Sequence, residues 1–258
     1  MNTSNSPFFF VLGAPDHEMQ EIERVCIEAG LAYAYATIGG SVVRSHEAYM
    51  ADGMTVPVVA PGSRIVFVEC AVMGLRYSDI VDHHSPGDPG FGKTPEQYYE
   101  GSSLGQFLTM IGREPTAYQR VIAAADHCLT AAYQGLCPGV DPADLRAFRE
   151  QTRSKARGLP VDVLRQQIEE ASHALQSAPR LDIAGAKVAW FEEDPPFETS
   201  EASARLATPY MYVRRQDDGR RKAGIRSAPA AVVDFWIRNC GLNQVYGDPQ
   251  RGFAGGYY

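Results

Sequence analysis

Five consecutive apolar residues, Phe8 to Leu12, stop at Gly13-Ala14-Pro15. A continuous apolar run of strand length, bounded by turn formers, predicts a strand buried on both faces. Met19, Ile22, Cys26 and Ala29 then recur at helical spacing, and Gly30 stands where that helix would end. Leu31 to Ile38 predicts a second strand, closed by Gly39-Gly40. Arg64 to Val68 predicts a third that ends at Glu69, and Asp79-Ile80-Val81 a short fourth that ends at Asp82. Strands alternating with helices predict a parallel α/β sheet.

Ser85 to Lys93 is rich in Gly, Pro and Asp and predicts a loop. Helices are expected over Glu96–Ile111 and Ala117–Gln134, then from Asp141-Pro142, and over Val161–Leu175. The character changes near Ala178-Pro179. Lys187–Phe191, Pro209–Arg214 and Lys222–Arg226 read as strands, with Asp217-Asp218-Gly219 as a hairpin signal between the last two. Ser227-Ala228-Pro229 opens a helix that Gly241 closes, and 247–256 reads as a glycine-rich loop. The expected organisation is a first α/β domain over 1–158, a linker helix over 159–178, and a smaller α/β domain over 179–258.

Composition narrows the partners. The 258 residues are 45% hydrophobic and 21% charged, the balance of a globular chain, with net charge −7. That charge argues against a broad basic face for extended duplex DNA but leaves room for a local basic pocket. Five cysteines (Cys26, Cys70, Cys128, Cys137, Cys240) lack C-x-x-C spacing, so a reducing compartment is the simpler expectation. The start, Met-Asn-Thr-Ser-Asn-Ser-Pro, has no basic n-region, and Phe8–Leu12 is too short to span a bilayer. A cytoplasmic protein with no membrane partner is expected.

Chemistry concentrates at strand ends. Asp16, Glu69 and Asp82 each follow an apolar strand directly or within a short turn, and the carboxyl edge of a parallel sheet is where ligands bind. Three acids there repel one another unless a cation neutralises them. His83 and His84 add imidazole nitrogens, and mixed carboxylate and imidazole ligation suits manganese, and also iron, zinc or cobalt; magnesium alone is more often held by oxygen. Asp126, after three alanines, is expected on a buried helix, where it serves either as a ligand or as a cap or ion-pair partner. His46, His127 and His173 read as surface or orienting groups. Lys93 follows Gly90-Phe91-Gly92 without the full spacing of a phosphate loop.

Asp82-His83-His84 resembles the signature of the DHH phosphoesterases, and other segments follow in the family's order. Pro15-Asp16-His17-Glu18 resembles its first motif, Glu69 stands where its second-motif aspartate falls, Ser102-Ser103-Leu104-Gly105-Gln106 resembles the small-residue helix, and Asp126 falls near a later metal-binding aspartate. The C-terminal part is similar to the DHH-associated (DHHA1) domain: Lys222 to Ser227 resembles its Arg-Ser strand end, and Gly252 to Gly256 its terminal glycine loop. The chain departs from the pattern at Leu12 (histidine in the family), Glu18 and Glu69 (aspartates) and Phe253 (histidine).

This resemblance implies a parallel-sheet DHH-type domain with a second, smaller α/β domain. It implies a metal-dependent phosphoesterase acting on a nucleotide, a dinucleotide or a short single-stranded oligonucleotide. The implied metal ligands are Asp16, Glu18, Glu69, Asp82, His83 and Asp126. Asp82, His83 and His84 form the catalytic group, with His84 beside the ligands or acting as general acid. Arg226, Ser227, Arg251, Gly252, Gly255 and Gly256 form the substrate grip. The divalent metal is expected to be manganese, with Mg2+, Co2+, Fe2+ and Zn2+ as alternatives. A pyrophosphatase and a nucleotide-binding or sensor protein on the same fold are the competing readings. Oligomeric state stays open, a dimer included.

Overall fold

The computed structural model describes residues 7–56, 58–216 and 219–258. Residues 1–6, on which the reading of the chain's start rests, lie outside these, as do Asp217 and Asp218 of the hairpin signal. The chain divides into two compact units, Met1–Phe91 with Tyr99–Ala123, and Gly92–Tyr98 with Ala124–Tyr258.

In the first unit β1 (Phe8–Leu12), α1 (His17–Ala29), β2 (Ala32–Ile38), β3 (Ser41–Val42), β4 (Gly53–Met54), β5 (Arg64–Val68) and β6 (Asp79–Val81) follow in order. The sheet runs β3-β2-β1-β5-β6, with β4 also on β2. β1 pairs in parallel with both β2 and β5, and β5 in parallel with β6. The chain leaves β1 to one side for β2 and returns on the other for β5. The topological switch point, the preferred ligand crevice of an open α/β sheet, therefore lies between β1 and β5.

Residues of β1 alternate between the two faces of the sheet, and both faces are covered, which is why the run is apolar throughout. Phe9 and Val11 pack with Ala34, Ala36, Phe67 and Val72, while the Phe10 ring meets Phe107 edge-on at 4.9 Å. Each such buried aromatic or aliphatic side chain contributes about 1.5–3 kcal/mol.

The expected helix over Glu96–Ile111 is broken. A 3₁₀ turn at Pro95–Gln97 leads to α2 (Tyr98–Gly101), and α3 (Ser103–Met110) starts afresh. Ser102 caps α3 by accepting from Gly105 N–H at 3.0 Å, and the Tyr99 carbonyl would stand 1.7 Å from a Cβ on Gly105. Only glycine lets the two turns close that tightly. The expected helix over Ala117–Gln134 likewise splits into α4 (Ala117–His127) and α5 (Leu129–Tyr133), at Cys128 with φ −150° and ψ 57°.

The second unit continues with α6 (Pro142–Arg157), α7 (Val161–Ser177), β7 (Arg180–Ile183), β8 (Ala186–Phe191), α8 (Thr199–Leu206), β9 (Tyr210–Arg215), β10 (Arg221–Arg226), α9 (Ala230–Asn239), β11 (Asn243–Asp248) and β12 (Phe253–Tyr257). Its sheet runs β11-β12-β10-β9-β8-β7, antiparallel except for β8 beside β9. One face packs Leu164, Ile168 and Leu175 of α7 with Ala202 of α8 against Tyr210 and Tyr212. The other packs Val232, Val233 and Trp236 of α9 against Val213, Ala223 and Ile225. The segment read as a linker helix is thus a covering helix of this sheet.

The expected glycine-rich loop at 247–256 narrows to a turn over 249–252, flanked by the end of β11 and the start of β12. Gly255 pairs with Gly224 of β10 and with Tyr246 of β11. Glycine in a strand marks a close approach. Here the Tyr212 ring lies 2.9 Å from where a Cβ on Gly224 would sit, and the Tyr246 hydroxyl 2.5 Å from one on Gly255. Two tyrosines lie over a flat glycine pair.

Glu201 is a buried charge of this unit that is paired. The Glu201 carboxylate, fully buried, accepts from Arg149 Nε at 2.9 Å, from Arg205 Nε at 3.1 Å and from the Tyr133 hydroxyl. Burial pushes its pKa up, but the Arg149 and Arg205 charges and the tyrosine bond outweigh it and hold Glu201 below the ordinary carboxylate range. A depressed native pKa contributes stability above the unfolded value and loses it as pH falls through the native one. Unfolding free energy from urea titrations is therefore expected to drop as pH falls below about 4.3. Glu201→Ala is expected to cost about 3–5 kcal/mol at neutral pH, since it leaves two arginines facing a buried hole.

Candidate metal and catalytic site

The turn after β6 is organised by a buried carboxylate. Asp82 Oδ1 accepts from the backbone N–H of His83 at 2.7 Å and of His84 at 3.0 Å, and lies 2.9 Å from His84 Nδ1. Its Oδ2 accepts from the Tyr49 hydroxyl at 2.8 Å. Burial pushes the Asp82 pKa up; the bond and charge of His84, then Tyr49 and the backbone N–H of His84, overcome it and keep the group below the usual carboxylate range. Burial, together with the same carboxylate, pushes the Tyr49 phenol far up. Tyr49, from a 3₁₀ turn 33 residues earlier, carries no sequence signal that would have marked it.

The main chain of Asp82 is gripped from α3. Gln106 Nε2 donates to the Asp82 carbonyl at 3.1 Å and its Oε1 accepts from Asp82 N–H at 3.3 Å, as a neighbouring strand would. Gly90 N–H adds a bond to the same carbonyl at 2.9 Å. A Cβ on Gly90 would stand 2.0 Å from the Gly101 carbonyl and 2.7 Å from His83 Cβ, so the loop returns against the histidine with no side chain between.

Glu69, directly after β5, sits at φ 49°, a left-handed conformation rare for a residue with a Cβ. Gly13, directly after β1, permits it: a Cβ there would lie 2.4 Å from the Glu69 carbonyl. Such local strain costs about 1–3 kcal/mol and collects at functional sites. It places Glu69 Oε1 3.4 Å from His83 Nε2, with the His83 side chain fully buried and that of Glu69 11% exposed. Glu69, His83 and His84 present ligand atoms within 4.8 Å of one another, and so do Glu18, Glu69 and His83. Glu18, in the first turn of α1, also accepts from Leu104 N–H at 2.9 Å at the start of α3, a favourable place for a negative charge.

The structure therefore brings together Glu18, Glu69, His83 and His84 of the expected set. Asp82 is beside them, as the group that orients the two histidines. Asp16 is the N-cap of α1, accepting from Met19 N–H at 2.9 Å. Asp126 lies in the last turn of α4, and there its Oδ2 is 3.6 Å from a guanidinium nitrogen of Arg251. Arg251 also donates from Nε to the His127 carbonyl at 3.0 Å and from a terminal nitrogen to that of Asp126 at 3.1 Å, capping the helix end.

The other expected substrate groups separate into two places. Ser227 has φ 53° and accepts from the Thr130 hydroxyl at 3.0 Å, and Ala228 N–H bonds the Gly252 carbonyl at 3.1 Å. Gly255 and Gly256 lie within β12, paired to β10. Arg226, at the end of β10, faces a different cavity. His127 Nε2 lies 3.1 Å from the Lys93 carbonyl, so this histidine holds a loop.

Glu69 with His83 and His84 at the ends of β5 and β6, and Glu18 of α1 with Glu69 and His83, form two overlapping sets of carboxylate and imidazole donors of the kind that holds Mn2+, Fe2+, Co2+ or Zn2+, and the residues fit a divalent ion by their chemistry.

No family model matches the chain, and no curated protein matches it. Among solved structures, a pGpG-specific phosphodiesterase, PggH, from Vibrio cholerae aligns over 98% of this chain and 93% of its own, at 9% identity and a TM-score of 0.40. A similarity of that size assigns neither a fold nor an activity to the chain. No helix among the described residues is long and apolar enough to cross a membrane.

Because Gln106 alone satisfies both sides of the Asp82 peptide from α3, Gln106→Leu is expected to cost about 1–3 kcal/mol of stability. Its nuclear magnetic resonance spectrum should show the His83 and His84 ring signals shifted while those of His173 stay in place.

Proposed function

We propose that the chain is a divalent-metal-dependent phosphoesterase acting on a nucleotide, a dinucleotide or a short single-stranded oligonucleotide. The observation that carries this reading is the convergence of Glu69 and His83 with Glu18 on one side and His84 on the other, at the carboxyl edge of a parallel sheet. A divalent cation, manganese by the mixed ligand set, would supply positive charge to phosphate oxygens and acidify a bound water.

Glu18, Glu69 and His83 are the groups proposed to hold the ion, with His84 beside them. In that arrangement Asp82 fixes the His84 ring through Nδ1, which directs Nε2 to the opposite edge. His84, 40% exposed beside buried His83, is the group placed to hand a proton to a leaving alkoxide. Tyr49 holds the second oxygen of Asp82 and so keeps this orientation. From the DHH resemblance, Ser227, Arg251 and the Gly252 turn are proposed to receive the rest of the substrate, with Asp126 and Asp16 as further ligands.

A second reading is a nucleotide-binding protein without hydrolysis. Both oxygens of Asp82 already hold donors, and Glu18 already caps a helix.

Purified protein titrated with Mn2+ should bind at least one ion per chain, and His83→Ala should lower that affinity at least about tenfold. A manganese-supplemented screen of short oligonucleotides, cyclic dinucleotides, nucleoside bisphosphates and pyrophosphate should find a hydrolysed ester, and the same variant should lose at least about a hundredfold in kcat/KM. Bound metal with no hydrolysis of any of these would favour the second reading, and no bound metal would overturn the proposal.

A further inference from the structure

The second unit contains a cavity of about 570 Å³, of the size that takes a small organic ligand. Four guanidinium groups line it, those of Arg153, Arg157, Arg214 and Arg226, against two carboxylates, Glu198 and Asp194. The wall is therefore net positive, on a chain of net charge −7. A concave surface whose sign opposes the rest of the molecule concentrates anions.

The two acids fix the arginines and do not exhaust them. Glu198 accepts from Arg153 Nε at 2.6 Å and from an Arg157 terminal nitrogen at 2.7 Å, and Asp194 accepts from Arg214 Nε. Arg153 and Arg214 thus meet their acids through Nε, leaving the paired terminal nitrogens of each fork for another acceptor. Glu198 holds its place with φ 66°, left-handed for a residue with a Cβ, directly before α8. Arg226 differs from the other three: among the described residues no carboxylate pairs with it. It stands opposite Tyr210 in the β9–β10 register, on the side of the sheet that Tyr210 and Tyr212 share.

Flat groups complete the wall. The Tyr210 and Tyr212 rings are stacked at 5.7 Å, and Phe197 at the rim is 73% exposed, with Arg157 4.7 Å over its ring. An exposed phenylalanine beside fixed cations offers a surface for a planar ring whose substituent carries negative charge.

We infer that this cavity is a binding site for a phosphate monoester attached to a flat heterocycle, a nucleoside monophosphate or the phosphate-bearing end of a longer nucleotide. Arg226 takes the phosphate through two donors, Arg153 and Arg214 supply the surrounding charge, and Phe197 takes the ring. The inference rests on the proposed function for the class of substrate and for Arg226, which the resemblance places in the substrate grip; the metal ligands play no part in it, and the binding step needs no cation.

Calorimetric titration in the presence of a chelator separates the two. With the full chain, 5′-AMP is expected to bind, ribose 5-phosphate and inorganic phosphate to bind more weakly, and adenosine not to bind measurably. Arg226→Gln, which strands no acid, should weaken 5′-AMP at least about tenfold. Phe197→Ala, a change at an exposed position, should weaken 5′-AMP and leave ribose 5-phosphate as it was. Unfolding curves matching those of the parent chain would show that both variants fold. Unchanged 5′-AMP affinity in Arg226→Gln, or no binding of any phosphate compound, would overturn the site. Equal affinity for inorganic phosphate and 5′-AMP would overturn its assignment to a nucleotide.

Discussion

A carboxylate with no exposed surface must be given donors, and the turn after β6 is the shape that meets this demand at Asp82. Two backbone N–H groups, one imidazole and one phenol converge on its two oxygens. Meeting that demand fixes the direction of His84 and the backbone at His83. The grip of Gln106 on the same residue's peptide group transmits the position of α3 to the turn. The strained conformation of Glu69 and the missing Cβ of Gly13 then bring β5's carboxylate to the buried imidazole. The proposed metal ligands are thus aligned by hydrogen bonds among groups that are not themselves ligands.

The second unit meets the same demand differently. Two of its buried acids, Glu198 and Glu201, lie near the start of α8 and are matched by guanidiniums from α6 and from α8 itself. Where Asp82 is met by short polar contacts within a turn, these two acids are met by long side chains that reach across elements. Arginine suits that task because its fork meets a carboxylate on one edge while retaining further donors. The same geometry that neutralises the acids leaves a lining of oriented N–H groups.

Much of the scaffold was legible in the sequence. The apolar runs at Phe8–Leu12 and Arg64–Val68 are strands because both faces of each are covered, which erases alternation and leaves an unmistakable block. The strand-end acids Glu69 and the pair His83-His84 were legible for the same reason: a block that stops at a polar residue places it on the sheet edge. What escaped depends on contacts distant in sequence. Tyr49 has no local pattern that ties it to Asp82, and Arg153, Arg157 and Glu198 meet only after α6 and α8 are packed. Gly255 and Gly256 looked like a loop because glycine lacks strand propensity; the Tyr246 ring that lies over Gly255 and the Leu242 side chain beside Gly256 come from outside this strand. The break in the helix at Ser102 hinges on a carbonyl packed on Gly105, a contact that helical periodicity does not register.

The cap that Arg251 places on the last carbonyls of α4 joins positions more than a hundred residues apart, and it is delivered by the penultimate stretch of the chain. β12, made later still, inserts between β10 and β11 and supplies both of them with partners. On the ribosome, the first sheet has all of its strands once residue 81 has emerged, whereas the second lacks an interior strand until residues 253–257 are made. A nascent chain stalled after β10 and before β12 carries a first sheet with all of its strands and a second whose β10 edge awaits its partner, and that edge is where a chaperone or an unwanted second strand would attach.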